Sequence, residues 1–219
     1  MHNVTVAFAV LLVMLLSYFF GCFNGSFMVS HFIIRDDVRK HGSGNAGLTN
    51  FYRTYGAKYA LLVIACDMGK TVAACLLGSF FFRCLGWDGT LGTLLAGLGC
   101  ELGHIFPVFY GFRGGKGILS GGTLVLLLNW RVAAVAWALF LLLWLTTRYV
   151  SLASITATCS APITVYFVYG HNWLYTGLCL AVAALVVWCH RENIQRLLHG
   201  TEKKFKWHVN PTEGKDPPE

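Results

Sequence analysis

Seven apolar runs dictate what this chain can become. The first, residues 4–34, carries no Asp, Glu, Lys or Arg, and others follow at about 59–82, 89–110, 118–130, 132–147, 149–169 and 172–189. Most approach the roughly 20 residues that a helix needs to cross a bilayer. With 56% hydrophobic and only 12% charged residues, the chain has too little polar surface to cover a water-soluble fold. The reading is an all-α polytopic membrane protein, one integral-membrane domain over 1–219, with a polar tail from about residue 210 expected to be disordered. The first run is longer than a signal-peptide core, has no basic stretch before it and shows no small-residue cleavage site, so it is read as a retained span.

The fourth run, about 13 residues or roughly 20 Å of helix, crosses only if the bilayer thins or a glycine-rich loop completes the passage. Charge decides whether it counts. Seven spans with the N-terminus outside and the C-terminus cytoplasmic place Arg35, Arg39, Lys40, Arg53, Lys58, Arg113, Lys116, Arg148 and the tail cations inside, and leave only Arg83 and Arg131 outside. Omitting the fourth span moves Arg148 outside and puts the tail on the wrong side. The net charge of +7 follows from this bias and from attraction to anionic lipid, so no nucleic-acid partner is implied. Eight cysteines lie mostly in apolar runs without C-x-x-C pairs, which argues for small buried hydrophobes rather than disulfides or a metal.

Four polar segments then share the cytoplasmic face: 35–58, 112–122, 148–154 and 190–202. In "HGSGNAGLTNFYR" (41–53), Gly42, Gly44 and Gly47 stand at a dinucleotide-loop spacing, but that fingerprint needs a preceding strand and an acid about 20 residues on. The segment is instead dense in donors and poor in acids. Ser43, Asn45, Thr49, Asn50 and Arg53 supply side-chain donors, and the glycines let backbone N–H groups approach an anion. "GFRGGKG" resembles a Walker loop yet has Tyr110 where the first glycine belongs and Gly117 where the magnesium-binding hydroxyl belongs. What remains is Lys116 between Gly115 and Gly117 just before a helix, a cation beside a positive helix end. In "HRENIQRLLHG", His190 and Asn193 share a helical face where the last span meets the cytosol. Such a histidine suits orienting or deprotonating a hydroxyl, and equally suits an ordinary interface.

Two charged couples lie within spans. Asp67 and Lys70 at i, i+3 read as a structural ion pair rather than as catalysts. Glu101 and His104 at the same spacing before Pro107 read as a wall of the site. His31 and Asp36 match an H-x4-D acyltransferase pattern, but the apolar run extends through Ile33 and Ile34, and the match is read as coincidence.

"GSGNAGLTNFYR" (42–53), "GHIFPVFYGFRGGKG" (103–117) and "HRENIQRLLHGTE" (190–202), with "CDMGK" and "RYVSLASI" (148–155), together resemble the bacterial membrane-embedded acyl-phosphate:glycerol-3-phosphate acyltransferase family. The resemblance covers Tyr18 to about Phe205. It departs at Leu48, where the family has alanine, at Thr71, where it has glycine, and at Leu119-Ser120, where it has Ala-Thr. Leu48 bears on rate and chain-length preference.

The resemblance implies a seven-helix protein of the bacterial inner membrane with a site open to the cytoplasm. It implies transfer of a fatty acyl group from acyl phosphate to the sn-1 hydroxyl of glycerol 3-phosphate, the first step of phospholipid synthesis, without a cofactor or metal. Ser43, Gly44, Asn45, Gly47, Thr49, Asn50, Arg53, Gly115, Lys116 and Gly117 would bind substrate, with Ser154 nearby, and His190 and Asn193 would hold the glycerol end. An acyl-phosphate-forming enzyme would act upstream. The chemistry needs positioning and charge neutralisation rather than an acyl-enzyme, and no G-x-S-x-G elbow is present. A transporter for a phosphorylated metabolite would also use glycine-broken helices and a buried Asp67–Lys70 pair, but it calls for inverted repeats, and none is visible. A lipid-binding scaffold leaves the donor-dense loops unexplained.

Overall fold

A computed structural model describes residues 2–206. Ten α-helices form, and there are no strands among the described residues. The first apolar run is not a single α-helix. Helix α1 (His2–Cys22) stops, Asn24 caps a new turn α2 (Gly25–Met28) by accepting from Phe27 N at 2.9 Å, and a π-helical turn, Val29–Ile34, completes the run. The segment read as a loop between the first two spans contains an amphipathic helix, α3 (Leu48–Tyr55). Then come α4 (Ala60–Cys84), α5 (Gly89–Ile105), α6 (Ile118–Leu128), α7 (Trp130–Thr147), α8 (Val150–Val168), α9 (Trp173–Cys189) and α10 (Arg191–Leu198).

Residues 4–34, α4, the stretch 89–110, α7 and α8 are each long and apolar enough to cross a membrane, and α9 qualifies together with α10, from which it bends by 59°. Helix α6 is apolar but has only 11 residues. The fold is thus an all-α polytopic membrane protein. Large apolar side chains such as Phe8, Leu61, Phe80, Trp130 and Ile163 stand on its outer surface, where lipid rather than water would surround them.

The bundle closes around α5, most of whose residues are buried. Small residues permit this. A Cβ added at Gly103 would overlap the Tyr18 carbonyl oxygen of α1, and one at Gly92 would overlap the Gly78 carbonyl oxygen of α4. Helices of a membrane bundle gain from such close approach, because lipid provides no hydrophobic drive to press them together.

Where α1 breaks, the freed backbone is satisfied by the charges of α4. Lys70 Nζ donates to Gly21 O at 3.1 Å and to Phe23 O at 3.0 Å, and Gly25 N donates to Asp67 Oδ1 at 3.0 Å. Asp67 and Lys70 pair at 2.8 Å. His104 joins them through Nδ1, 2.7 Å from Lys70 Nζ. The expected Glu101–His104 couple is therefore divided. His104 belongs to the ion pair, whereas both Glu101 oxygens are buried against Gly117 and Gly121 without a hydrogen-bond partner among the described residues.

Candidate functional site at one end of the bundle

The polar segments that sequence order scatters over 160 residues meet at one end of the helices. Asn24 Nδ2 donates to Ala46 O at 2.9 Å, which ties the break in α1 to the first glycine loop. Ala46 N in turn donates to Gly114 O at 3.4 Å, which joins the first loop to the second. The second loop is folded over His104. Gly114 N and Gly115 N donate to Ile105 O and His104 O, each at 3.1 Å. A Cβ at Gly115 would overlap His104 Nε2, so only glycine lets the backbone lie this close.

The first loop is built around Asn50. Its amide donates to Val38 O, His41 O and Asn45 O at 3.0–3.1 Å, and its Oδ1 accepts from Ser43 N at 3.0 Å. The structure thus uses Asn50 as a strut inside the loop. Gly42 and Gly44 take positive φ of 59° and 68°, whereas Gly47 is extended at −120° and begins α3. Ser43 and Gly44 are exposed, and Asn45 and Thr49 are half-buried. Arg53 lies one turn beyond Thr49 on α3, so the helix presents both toward the same side.

Lys116, before the N-terminus of α6, donates to Asn193 Oδ1 on α10. Gly117 caps α6 with φ of 81°, a left-handed conformation that turns the chain from the lysine into the helix. His190 is the hinge between α9 and α10. Its Nδ1 lies 2.7 Å from Val186 O, and because a carbonyl only accepts, the ring proton sits on Nδ1 and Nε2 is left as an acceptor.

Glu202, which sequence reasoning passed over, organises this group. Its Oε1 accepts from Asn193 Nδ2 and from Ser151 Oγ, both at 2.7 Å, and its Oε2 accepts from Arg196 Nε at 2.8 Å. Burial pushes its carboxyl up, but the hydrogen bonds from Arg196, Ser151 and Asn193 outweigh this and hold it below the usual carboxylate range. The chain then continues across the site. Arg53 Nη2 donates to Lys203 O at 3.1 Å, and Phe205 stacks on Tyr52 with centroids 5.3 Å apart. The only sequence signal was an acid in a segment otherwise rich in cations.

Arg53, Lys116, Asn193 and the start of the tail are therefore brought together, with His190 one turn before Asn193. Burial holds the Lys116 ammonium below the ordinary lysine range, and the Arg196 cation adds to that shift. Burial likewise lowers Arg53, partly offset by Glu202. Two incompletely hydrated cations favour binding an anion, which would relieve both. Ser154 lies one turn along α8 from Ser151, and its buried hydroxyl has no hydrogen-bond partner among the described residues. His31 and Asp36 do not form a pair: His31 stacks on Phe27, and Asp36 bonds His41 Nε2 at 2.8 Å.

The fold is that of an integral membrane protein, with glycine loops, two partly desolvated cations and an acceptor imidazole gathered at one end of the helices. Comparison with known sequences gives the family. The sequence model described as glycerol-3-phosphate acyltransferase matches residues 11–200. The glycerol-3-phosphate acyltransferase of Syntrophomonas wolfei is 38% identical over 192 residues, covering 88% of this chain and 95% of that protein. That of Alkaliphilus metalliredigens is 40% identical over 195 residues, covering 89% and 95%. Among solved structures, the glycerol 3-phosphate form of PlsY (YgiH), described as an integral membrane glycerol 3-phosphate acyltransferase, superposes with a TM-score of 0.80 at 36% identity, covering 90% of this chain and 96% of that one. Its lysophosphatidic acid form gives 0.77 at 35% identity, covering 90% and 95%. The chain belongs to the glycerol-3-phosphate acyltransferase family, whose members are acyltransferases of phospholipid synthesis.

Proposed function

We propose that this chain, acting as one membrane domain, transfers a fatty acyl group from acyl phosphate to the sn-1 hydroxyl of glycerol 3-phosphate, releasing lysophosphatidate and inorganic phosphate. The observation that carries the reading is the junction of Lys116 with Asn193, beside Arg53 and one helical turn from His190. It is supported by the glycerol 3-phosphate and lysophosphatidic acid forms in which the similar PlsY has been solved. The segment from about residue 210, expected to be disordered, lies outside the described residues.

In this reading, Arg53 and Lys116 neutralise substrate phosphate, with Ser43, Gly44, Asn45, Gly47, Thr49, Gly115 and Gly117 shaping the cradle and Ser154 close by. Asn50 contributes by holding the first loop. Asn193 and His190 orient the glycerol end. The sn-1 hydroxyl oxygen attacks the acyl carbonyl carbon, the bond from that carbon to the phosphate oxygen breaks, and phosphate departs with the electron pair. His190 Nε2, an acceptor by virtue of the Val186 bond, takes the hydroxyl proton in this reading. A phosphate oxygen of the substrate is the competing acceptor. The cations and helix ends need only stabilise charge that grows on the leaving phosphate.

The positive-inside bias supports a cytoplasmic orientation for this end of the bundle, which in a bacterial inner membrane would put it within reach of an upstream enzyme that makes acyl phosphate. Purified protein in detergent, given acyl phosphate and radiolabelled glycerol 3-phosphate, should form lysophosphatidate. Comparable turnover with acyl-coenzyme A would overturn the donor assignment, and uptake of glycerol 3-phosphate into vesicles without acylation would overturn the enzyme reading.

A further inference from the structure

Beside the first loop lies a cleft of about 680 Å³ lined by Phe27, Arg39, Lys40, Phe109, Tyr110 and Arg113 among others. This is within the range of about 300–1,000 Å³ typical of small-ligand sites. Its charges are unequal. Asp37, the acid of the cleft, is matched by Arg39, whose Nε and Nη2 bond it at 3.0 and 2.8 Å. The remaining Arg39 nitrogen donates to Tyr110 O at 2.8 Å, and the guanidinium lies 4.4 Å over the Phe27 ring. Arg39 is therefore fully engaged in clamping the first loop to the second. The side chains of Lys40 and Arg113, both exposed residues, make no hydrogen bond or ion pair among the described residues. Asp37 answers Arg39 first and feels Lys40 only through space, so three cations against one acid leave the cleft with a net positive field.

The apolar side of the same cleft opens onto the outer surface of the bundle. Phe109 is 57% exposed and sits against Phe19 and Phe23, at centroid distances of 6.1 and 6.3 Å. Those two rings flank the end of α1, where the span gives way to the loops. Aromatic side chains at the rim of a span and unpaired cations just beyond it are the two halves of a site for an amphipathic anion. We infer that this cleft binds the headgroup of an anionic bilayer phospholipid, its phosphate between Lys40 and Arg113 and its glycerol and upper acyl chain over Phe109, Phe19 and Phe23. Its cations, Lys40 and Arg113, are not those of the substrate cradle, which the cleft adjoins at Gly44. It shares Gly44 and the Arg39 clamp with the first loop, so an occupied cleft would brace that loop from outside.

The test measures binding rather than turnover, so its failure is distinct from failure of the proposed activity. The full chain in zwitterionic detergent is titrated with phosphatidylglycerol or phosphatidylcholine, and affinity is read by thermophoresis. Phosphatidylglycerol should bind more tightly, and Lys40→Gln with Arg113→Gln should weaken it about 30-fold, each single change about fivefold. The charge-keeping pair Lys40→Arg and Arg113→Lys should bind as the parent does, which guards against a folding effect. Arg83→Gln with Arg131→Gln, at the other end of the bundle, should change nothing. Unaltered phosphatidylglycerol affinity in the glutamine pair overturns the assignment. So does displacement of the lipid by equimolar inorganic phosphate, which would make the cleft a site for soluble anions. Tighter binding of lysophosphatidate than of phosphatidylglycerol at Lys40 and Arg113 would likewise overturn it, by making the occupant a single-chain lipid.

Discussion

Replacing Glu202 with alanine removes one acceptor group from three donors at once. The side chain is 6% exposed, and its partners come from two helices: Ser151 on α8, and Asn193 and Arg196 on successive turns of α10. A hydrogen bond to a charged group contributes about 1.5–3 kcal/mol. The Arg196 bond is discounted, because that side chain is 37% exposed and water can replace the carboxylate. The two bonds from the buried Ser151 and Asn193 share one oxygen and do not add fully. About 3 kcal/mol is then the expected loss, which corresponds to more than about 100-fold in kcat/KM if it is expressed as misplacement of Asn193 and of the Lys116 bonded to it. Glu202→Gln should fall between, since its oxygen still accepts from Ser151 and Asn193 while its amide meets the Arg196 donor head on. The assay is lysophosphatidate formation at glycerol 3-phosphate well below saturation, alongside thermal unfolding in the same detergent. The carboxylate's lowered pKa means that its contribution is complete above the ordinary glutamate range and is lost as pH falls through the depressed value. An acid-side loss of stability in the parent should therefore be blunted in Glu202→Gln. Parent-like activity in Glu202→Ala would refute the idea that this carboxylate sets the position of Asn193.

The other expectations concern charge, protons and sidedness. Arg53→Ala and Lys116→Ala should each lose at least about 2 kcal/mol of transition-state stabilisation, on the order of 30-fold, and Arg53→Lys should recover only part because the planar fork is gone; near-parent kcat/KM in both alanine variants would remove the phosphate cradle. Because burial lowers the Lys116 pKa, the charged form is lost as pH rises at a lower value than for a free lysine, so kcat/KM should fall on the alkaline side, and Lys116→Arg should push that fall upward even if its maximum is reduced. His190→Gln keeps hydrogen bonding without basicity, so near-complete loss of kcat with intact substrate binding would make the imidazole the base, and substantial residual rate would assign the proton to the substrate phosphate. Single cysteines at Gly42, Gly117 and Gly200 in a cysteine-poor background should react with an impermeant reagent from the cytoplasmic side and one at Asp88 only from outside; labelling of Gly42 and Gly117 from opposite faces would contradict the shared end of the bundle.

Much of the bundle was legible because a bilayer imposes length and polarity on whatever crosses it, and the runs at 59–82, 89–110, 149–169 and 172–189 fall close to α4, α5, α8 and α9. The gathering of the glycine loops with the tail start also followed, since alternating spans send every second loop to the same side. The break at Asn24 did not follow. It lies in a stretch that is apolar on both sides, and the reason the helix can stop there is the pair of charges on α4, more than 40 residues away. Helix α3 was hidden among turn-forming residues, because its amphipathic face rests on Val38 and Val63 rather than on a hydrophobic run of its own. For Asn50 the residue type was right for binding an anion, but type cannot tell a donor aimed at ligand from one holding its own loop. The Glu101–His104 spacing placed both on one side of α5, yet a neighbouring helix captured the histidine alone. Glu202 was missed because its meaning lies in Ser151, a partner 51 residues back.

The bond between Lys70 and the broken end of α1 also bears on how the protein enters the membrane. During synthesis, the first span would emerge with the Gly21 and Phe23 carbonyls and the Gly25 N–H unsatisfied, and the fourth helix would emerge carrying two full charges. Neither is a stable resident of hydrocarbon by itself. Each removes the other's liability, and His104 on the fifth helix adds the last partner. The early part of the chain is thus built to leave the insertion machinery as a group of helices rather than one span at a time, and the floor beneath both glycine loops is complete once α5 has arrived.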